Sequence, residues 1–385
     1  MFKLLIIIYI AFISLGLPDS LLGSAWPVIY KELAVPISYA GIIQMIIAGG
    51  TVISSLLSAR MIKKFGTARV TTVSVALTAA ALLGFGLSHN FIFLVLLAIP
   101  LGLGAGSIDA ALNNFVALHY EAKHMNWLHS FWGVGTFIGP MIMSFWLAQN
   151  NNWNFGYLTI GGLQTILVIV LIISLPLWKQ ADSEIEKNGK KERVSLSLKE
   201  IIKLPNVKRV LIAFFSYCAI EWTAGLWVGT YAVEKYGVLS ETAARWTSIY
   251  FLGITLGRFL SGFFAIKISN KNLVRLGILS QFIGILVLLL PVSVWKVPVG
   301  IMLVGFGCAP IFPSMLHRTP QIFGDRVSQS VMGVQMAAAY IGTTFMPPLF
   351  GLIADYMSIG LFPFYLLFWA ALIAISTEFV NGYLD

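Results

Sequence analysis

Apolar runs of about 20 residues recur along the whole chain, and they constrain its fold more than any other feature. At about 1.5 Å of rise per helical residue, each run can cross a hydrocarbon core roughly 30 Å thick. Lipid offers no water to backbone N–H and C=O groups, so a run of this length has to satisfy them internally as a helix. Twelve such runs fall at 3–30, 37–63, 68–88, 91–119, 124–149, 155–178, 207–236, 241–267, 271–294, 297–320, 327–355 and 360–383. Composition agrees, because 58% of the 385 residues are hydrophobic and only 11% are charged, a balance foreign to soluble domains of this length. The first run begins after only Lys3 and lacks a small-residue cleavage site, so it reads as a retained span and not a removed signal peptide. The expected fold class is an all-α membrane protein of twelve transmembrane helices.

The basic residues orient such a protein. With both termini on the cytoplasmic side, nearly all of the 25 Lys and Arg fall in cytoplasmic segments or adjoining helix ends, including Arg60, Lys63, Lys64, Arg69, Arg258, Lys267, Lys271, Arg275, Arg318 and the cluster from Lys179 to Arg209. Only Lys31, Lys235, Arg245 and Lys296 remain on the other side, which is a strong positive-inside bias. The formal net charge of +9 is therefore topological, and a nucleic-acid partner, which needs basic residues gathered on a soluble face, is excluded. The expected location is a bacterial inner membrane, with the chain working as a monomer in the lipid bilayer.

Within the apolar runs, acids mark the places where chemistry is expected. In LGLGAGSIDAALNNF, residues 101–115, Asp109 stands in an otherwise uncharged stretch. A charge at a bilayer centre costs roughly 2.5–3.5 kcal/mol on insertion scales, so such acids face a protein interior or a water-filled cavity. At helical spacing Gly102, Gly106, Asp109 and Asn113 share a face, the glycines admitting a close neighbour and the polar side chains pointing at it. The first run carries Gly16, Asp19, Gly23, Trp26 and Tyr30 near one stripe, with Pro18 and Pro27 expected to interrupt the helix. In a membrane such breaks are tolerated where neighbouring helices or cavity water satisfy the freed backbone. The second run has Gln44, Ala48, Thr51, Ser55 and Ser58 in a stripe; packing accounts for the small ones and leaves Gln44 as a ligand contact.

The chain looks duplicated. Aligning Asp19 with Glu221 places Gly23 over Gly225 and Glu32 over Glu234, and LGLGAGSID over VGFGCAPIF places Gly102 and Gly104 over Gly305 and Gly307, with Phe312 opposite Asp109. Two parallel halves of six spans, with sites near the midplane, are a transporter layout. The expected division is an N-terminal half at 1–179, a cytoplasmic linker at 180–206 and a C-terminal half at 207–385. The linker is charged in its first part and flexible in character. In its second part Ser197 and Glu200 form a capping box ahead of Ile201, Ile202 and Leu204, which predicts a short amphipathic helix.

Further candidates follow in the later spans. His129, Trp132, Thr136 and Gly139 form a stripe in the fifth span; Glu221 in the seventh has Trp222, Trp227 and Tyr231 close by; Gln335 and Tyr340 lie in the eleventh. Interfacial aromatics are ordinary in membrane proteins, yet rings beside hydrogen-bonding groups also suit sugars, whose apolar faces stack while their hydroxyls need paired donors and acceptors. Cys218 and Cys308 fall inside spans without metal-ligand spacing and read as small apolar filler. No P-loop, nucleophile with its base, or HExxH motif is present, so neither an enzyme, a bound metal nor a cofactor is expected.

Twelve spans in two related halves, basic turns between spans two and three and between eight and nine, and GVGTFIGP ending at Pro140 resemble the major facilitator superfamily. Within it the likeness is to the fucose permease branch of sugar and proton symporters, carried by AGIIQ at 40–44, GLGAGSIDAALNNF at 102–115, YAVE at 231–234, LGRF at 256–259 and IFPSM at 311–315. The resemblance implies that Asp19 and Asp109 handle proton and sugar, with Gln44 and Asn113 as polar partners. His129, Trp132 and Glu221 stand where the branch has amides, Asn114 replaces a proline, and Lys63 replaces the usual acid of the second-to-third turn.

The function expected is alternating-access symport of a proton with a small polar solute, a monosaccharide. Asp19, Asp109 and Glu221 are the candidate coupling acids; Trp26, Gln44, Asn113, Asn114, His129, Trp132, Trp222, Trp227, Tyr231, Gln335 and Tyr340 are the candidate substrate contacts. Burial disfavours a charge, so protonation of a coupling acid can change as its access to water changes. Two alternatives stand beside this reading: sodium coupling, since carboxylates are hard oxygen ligands, and proton-coupled export of an apolar, drug-like compound, which fits the aromatic content.

Overall fold

The computed structural model describes residues 2–120, 122–182 and 198–384. They form α1 (Phe2–Asp19), α2 (Leu21–Glu32), α3 (Tyr39–Phe65), α4 (Thr67–Leu87), α5 (Phe91–His119), α6 (Ala122–Leu147), α7 (Trp153–Asp182), α8 (Leu198–Lys203), α9 (Val207–Tyr236), α10 (Ser240–Phe264), α11 (Asn270–Leu289), α12 (Lys296–Phe323), α13 (Asp325–Tyr356) and α14 (Phe362–Leu384). Among the described residues there is no strand, and twelve helices are long and apolar enough to cross a membrane. They match the sequence runs to within a few residues. The first spans Lys3–Glu32, where 3–30 was expected, and the largest difference is at the ninth, Asn270–Leu289, where the run extended to 294.

The chain divides into two compact units, unit 1 comprising Met1–Gly189 with Gly237–Ser248 and unit 2 comprising Lys190–Tyr236 with Ile249–Asp385. The charged part of the linker and Ser197 of the expected capping box lie outside the described residues. The six-residue α8 follows, with Ile201 buried against Val207 and Val331.

The first span is broken once. α1 stops at Asp19 and α2 starts at Leu21, because Pro18 has no N–H for the Ser14 carbonyl and its ring crowds that turn. Gln164 on α7 takes over the freed carbonyl. Its Nε2 donates to Ser14 O at 2.8 Å, while its Oε1 accepts from Thr78 Oγ1 at 2.7 Å. The second expected break is absent, since Pro27 sits inside a continuous α2; a proline withdraws one N–H, here from the Gly23 carbonyl, and the turns beyond it keep their bonds.

Helices in lipid gain little from apolar burial against one another and rely on close approach and hydrogen bonds. In unit 1, a Cβ on Gly102 or Gly106 of α5 would collide with the Ile47 or Thr51 carbonyl of α3. The same seam is bonded, with Thr51 Oγ1 donating to Gly102 O at 3.3 Å and Ser55 Oγ to Gly106 O at 3.1 Å. The small polar stripe of the second span is thereby explained. Unit 2 repeats the device: Gly305 of α12 lies on the Tyr250 carbonyl of α10 and Gly307 on the Gly277 carbonyl of α11, as Gly102 and Gly104 lie on Ile47 of α3 and Ser74 of α4. The glycines that aligned in sequence thus make matching contacts, and α1–α7 and α9–α14 are two pseudo-symmetric halves of six spans each.

Candidate functional site

In unit 1 the acids of the first and fourth spans lie on helices in contact, α1 and α5. Asp19 closes α1 at the Pro18 break, and Trp132 on α6 donates its Nε1–H to Asp19 Oδ2 at 2.8 Å. The α1–α6 approach that permits this is itself a glycine contact, Gly16 lying against the Trp132 backbone carbonyl. Asp109 lies on α5, and Asn113, one turn later, donates Nδ2–H to its Oδ1 at 2.8 Å. Both acids are half-buried and near enough to feel each other's charge. The donors these bonds supply are neutral, an indole and an amide. Asn113 Oδ1, also buried, accepts no hydrogen bond from the described residues. This surface is rich in acceptors, and a group bearing O–H, or a proton, is what would complete it.

In unit 2 Glu221 stands at the middle of the 30-residue α9, paired with Arg258 of α10, Nη2 to Oε1 at 3.1 Å. The two side chains keep 12% and 21% of their surface exposed. Around them Tyr250 donates its hydroxyl to the Glu221 backbone carbonyl at 2.7 Å, and Gln281 donates Nε2–H to the Cys308 thiol at 3.2 Å. Tyr217 packs its ring on Phe312 at 5.5 Å, so the position opposite Asp109 in the repeat is an aromatic wall. Cys218 and Cys308 are free and buried.

Arg258 is the residue that sequence reasoning misplaces, by grouping it with the basic turn that follows the eighth span. It lies well inside α10 and answers an acid, not the membrane surface. The signal is there to be read: a cation within an apolar run carries the same cost as an acid and asks for a partner. Arg318 is misplaced in the same way. It is buried on α12, with Nη2 donating to Asn381 Oδ1 at 2.7 Å.

The remaining candidates are distributed unevenly. Gln44 is buried on α3, Asn114 is exposed on α5, and His129 is exposed on α6 with its ring edge-on to Phe12 at 5.8 Å. Trp222 on α9 and Tyr340 on α13 are half-buried. Three of the aromatic candidates are buried. Trp26 is wholly buried, with its N–H on the Ile37 carbonyl at 2.8 Å, and Trp227 likewise on the Pro347 carbonyl at 2.8 Å. Tyr231 is buried against Phe362 and shares its hydroxyl with Tyr236 at 3.1 Å. Their polar tips are bonded within the fold. Gln335 is also fully buried, and its Oε1 accepts from Thr319 Oγ1 at 3.0 Å. Among the described residues no group of three or more His, Cys, Asp or Glu could hold a metal.

Comparison with known proteins agrees with the twelve-helix fold. Residues 8–244 and 238–380 both match the Major Facilitator Superfamily. Among curated relatives, the glucose/mannose transporter GlcP of Bacillus subtilis is 22% identical, over 89% of this chain and 86% of its own. The cis,cis-muconate transport protein of Acinetobacter baylyi is 22% identical, over 84% and 80%. Among solved structures, a point mutant of the nucleoside transporter NupG superposes with a TM-score of 0.79 at 13% identity, covering 99% of each chain.

Proposed function

The chain belongs to the Major Facilitator Superfamily, and on that premise we propose that it is a proton-coupled symporter of a monosaccharide, akin to the fucose permease branch. That it is a multi-pass membrane transporter of this superfamily, and no enzyme, follows from membership. The solute and the proton are our reading. It rests on one observation, that the half-buried carboxylates Asp19 and Asp109 are each bonded to an uncharged donor, Trp132 and Asn113. Two acids that feel each other's charge resist ionising together. A protonated acid can donate to a sugar hydroxyl and an ionised one can accept from it, so solute and proton occupancy are linked. A relative named for glucose and mannose supports the solute class, and one named for cis,cis-muconate shows how far solutes range at this level of identity. Gln44, Asn113, Asn114, His129, Trp132, Trp222 and Tyr340 remain the proposed solute contacts.

The test is a reconstituted vesicle with a pH dye inside and a panel of monosaccharides added outside. The expected result is acidification with one sugar. Asp109→Asn should retain exchange of that sugar across the membrane and lose its proton-driven accumulation. Normal accumulation by the mutant removes Asp109 from coupling, and accumulation that follows a sodium gradient at constant pH replaces the proton with sodium.

A further inference from the structure

The ion pair of unit 2 is not needed to explain coupling by Asp19 and Asp109, and its placement asks for another use. Charges at mid-span are costly, and a buried pair gives little net stability over apolar residues of the same volume. Arg318 shows a more deeply buried style, at 7% exposure with Nη2 on the Asn381 amide oxygen. Arg275 shows another style, a doubly bonded pair with Glu378 at 2.7 and 2.5 Å near a helix end. Arg258 and Glu221 match neither. They meet Nη2 to Oε1 at 3.1 Å, and both stay partly exposed within long apolar helices, Glu221 at the middle of α9 and Arg258 six residues before the end of α10. Lipid would not tolerate that exposure, so it faces water or solute.

We propose that Arg258 is a carboxylate-binding site covered by Glu221, and that the transported solute is a sugar acid of the hexuronate type. This rests on the reading of the chain as a proton-coupled monosaccharide carrier. A proton added to Glu221 Oε1 ends the charge attraction to Arg258, and the guanidinium N–H groups then accept the solute carboxylate as their partner. Guanidinium and carboxylate match in geometry and charge, whichever molecule supplies the carboxylate. The charges balance. One anion and one proton enter a site that held one cation and one anion, and the site is neutral before and after. Release reverses the exchange, and Glu221 returns to Arg258. Phe312, half-buried and backed by the Tyr217 ring, gives the sugar ring an apolar face to lie on.

The experiment uses the full chain in vesicles, with D-glucuronate and D-galacturonate set against D-glucose and D-galactose. The expected result is uronate uptake driven by an inward pH gradient and accelerated by an inside-negative potassium diffusion potential, because one anion then enters with two protons, one on Glu221 and one on the Asp19–Asp109 pair. Arg258→Gln should weaken uronate binding at least ~100-fold more than it weakens binding of the neutral sugar, as loss of a charge-assisted bidentate partner implies, with Arg258→Lys intermediate. Should either single variant misfold, Glu221→Gln with Arg258→Gln leaves no unpaired charge, and it should show the same selective loss. Transport of neutral hexoses with uronates ignored overturns this proposal and leaves the monosaccharide reading standing. Uronate uptake that survives in the double variant also overturns it. Transport of neither class overturns both.

Discussion

Gln164 is the residue that makes the break at Pro18 tolerable. A buried carbonyl without a donor costs about 1–3 kcal/mol, and Ser14 O would be one if Gln164 did not donate to it. Gln164→Leu should therefore lower stability by about 1–3 kcal/mol, read as a fall in melting temperature in detergent. Pro18→Ala supplies the missing N–H. It should recover most of that loss when combined with Gln164→Leu, while changing the parent little. Equal effects of Pro18→Ala with and without Gln164→Leu would show that the two residues are not coupled. The acids were easier to find than this amide, because a carboxylate in an apolar run announces its cost while a glutamine does not. Trp26 and Trp227 misled for a related reason. An indole beside polar residues looks alike in sequence whether its N–H meets a ligand or, as here, a backbone carbonyl.

The seam between α3 and α5 carries the second prediction. A Cβ on Gly106 would meet both the Thr51 backbone carbonyl and the Ser54 hydroxyl, and backbone cannot rotate away as a flexible side chain would. Gly106→Leu should cost about 1–3 kcal/mol through overpacking, seen as a lowered melting temperature and reduced yield of monodisperse protein. A Cβ on Gly162 of α7 would meet nothing within 4 Å, and Gly162→Ala should stabilise by about 0.5–1 kcal/mol, chiefly by restricting the unfolded chain. A tolerant Gly106 would mean that the seam is loose. Element positions were legible because hydropathy over about 20 residues averages out local exceptions. Whether a given glycine packs on backbone or faces open space was not, since that depends on the neighbouring helix. Pro18 and Pro27 make the same point: identical residues on one span, one ending a helix and one absorbed by it.

At the scale of the molecule the duplication was legible, because a glycine that admits a neighbouring backbone tolerates no other residue, so the repeat outlasted the divergence of the side chains around it. Orientation is the property that the repeat does not decide. The charge bias that sets it survives correction: Arg258 answers Glu221 and Arg318 answers Asn381, so neither counts as a loop cation, yet Arg60, Lys63, Lys64 and Arg69 in unit 1 and Lys267, Lys271 and Arg275 in unit 2 remain at the ends assigned to the cytoplasm. Green fluorescent protein fused after Asp385 should accordingly fluoresce in bacterial cells, and alkaline phosphatase at the same place should be inactive. A second pair of fusions in the turn at residues 148–152, with few charges and assigned to the outer face, should give the opposite result. Reversal of both pairs would put the basic ends outside. On the proposed proton symport, reversal would not by itself change which way protons flow through Asp19 and Asp109, because the proton gradient of a bacterial inner membrane points inward. It would change which turns control access to them, moving the basic turn at Lys63 and Lys64 from the side where the proton leaves to the side where it enters.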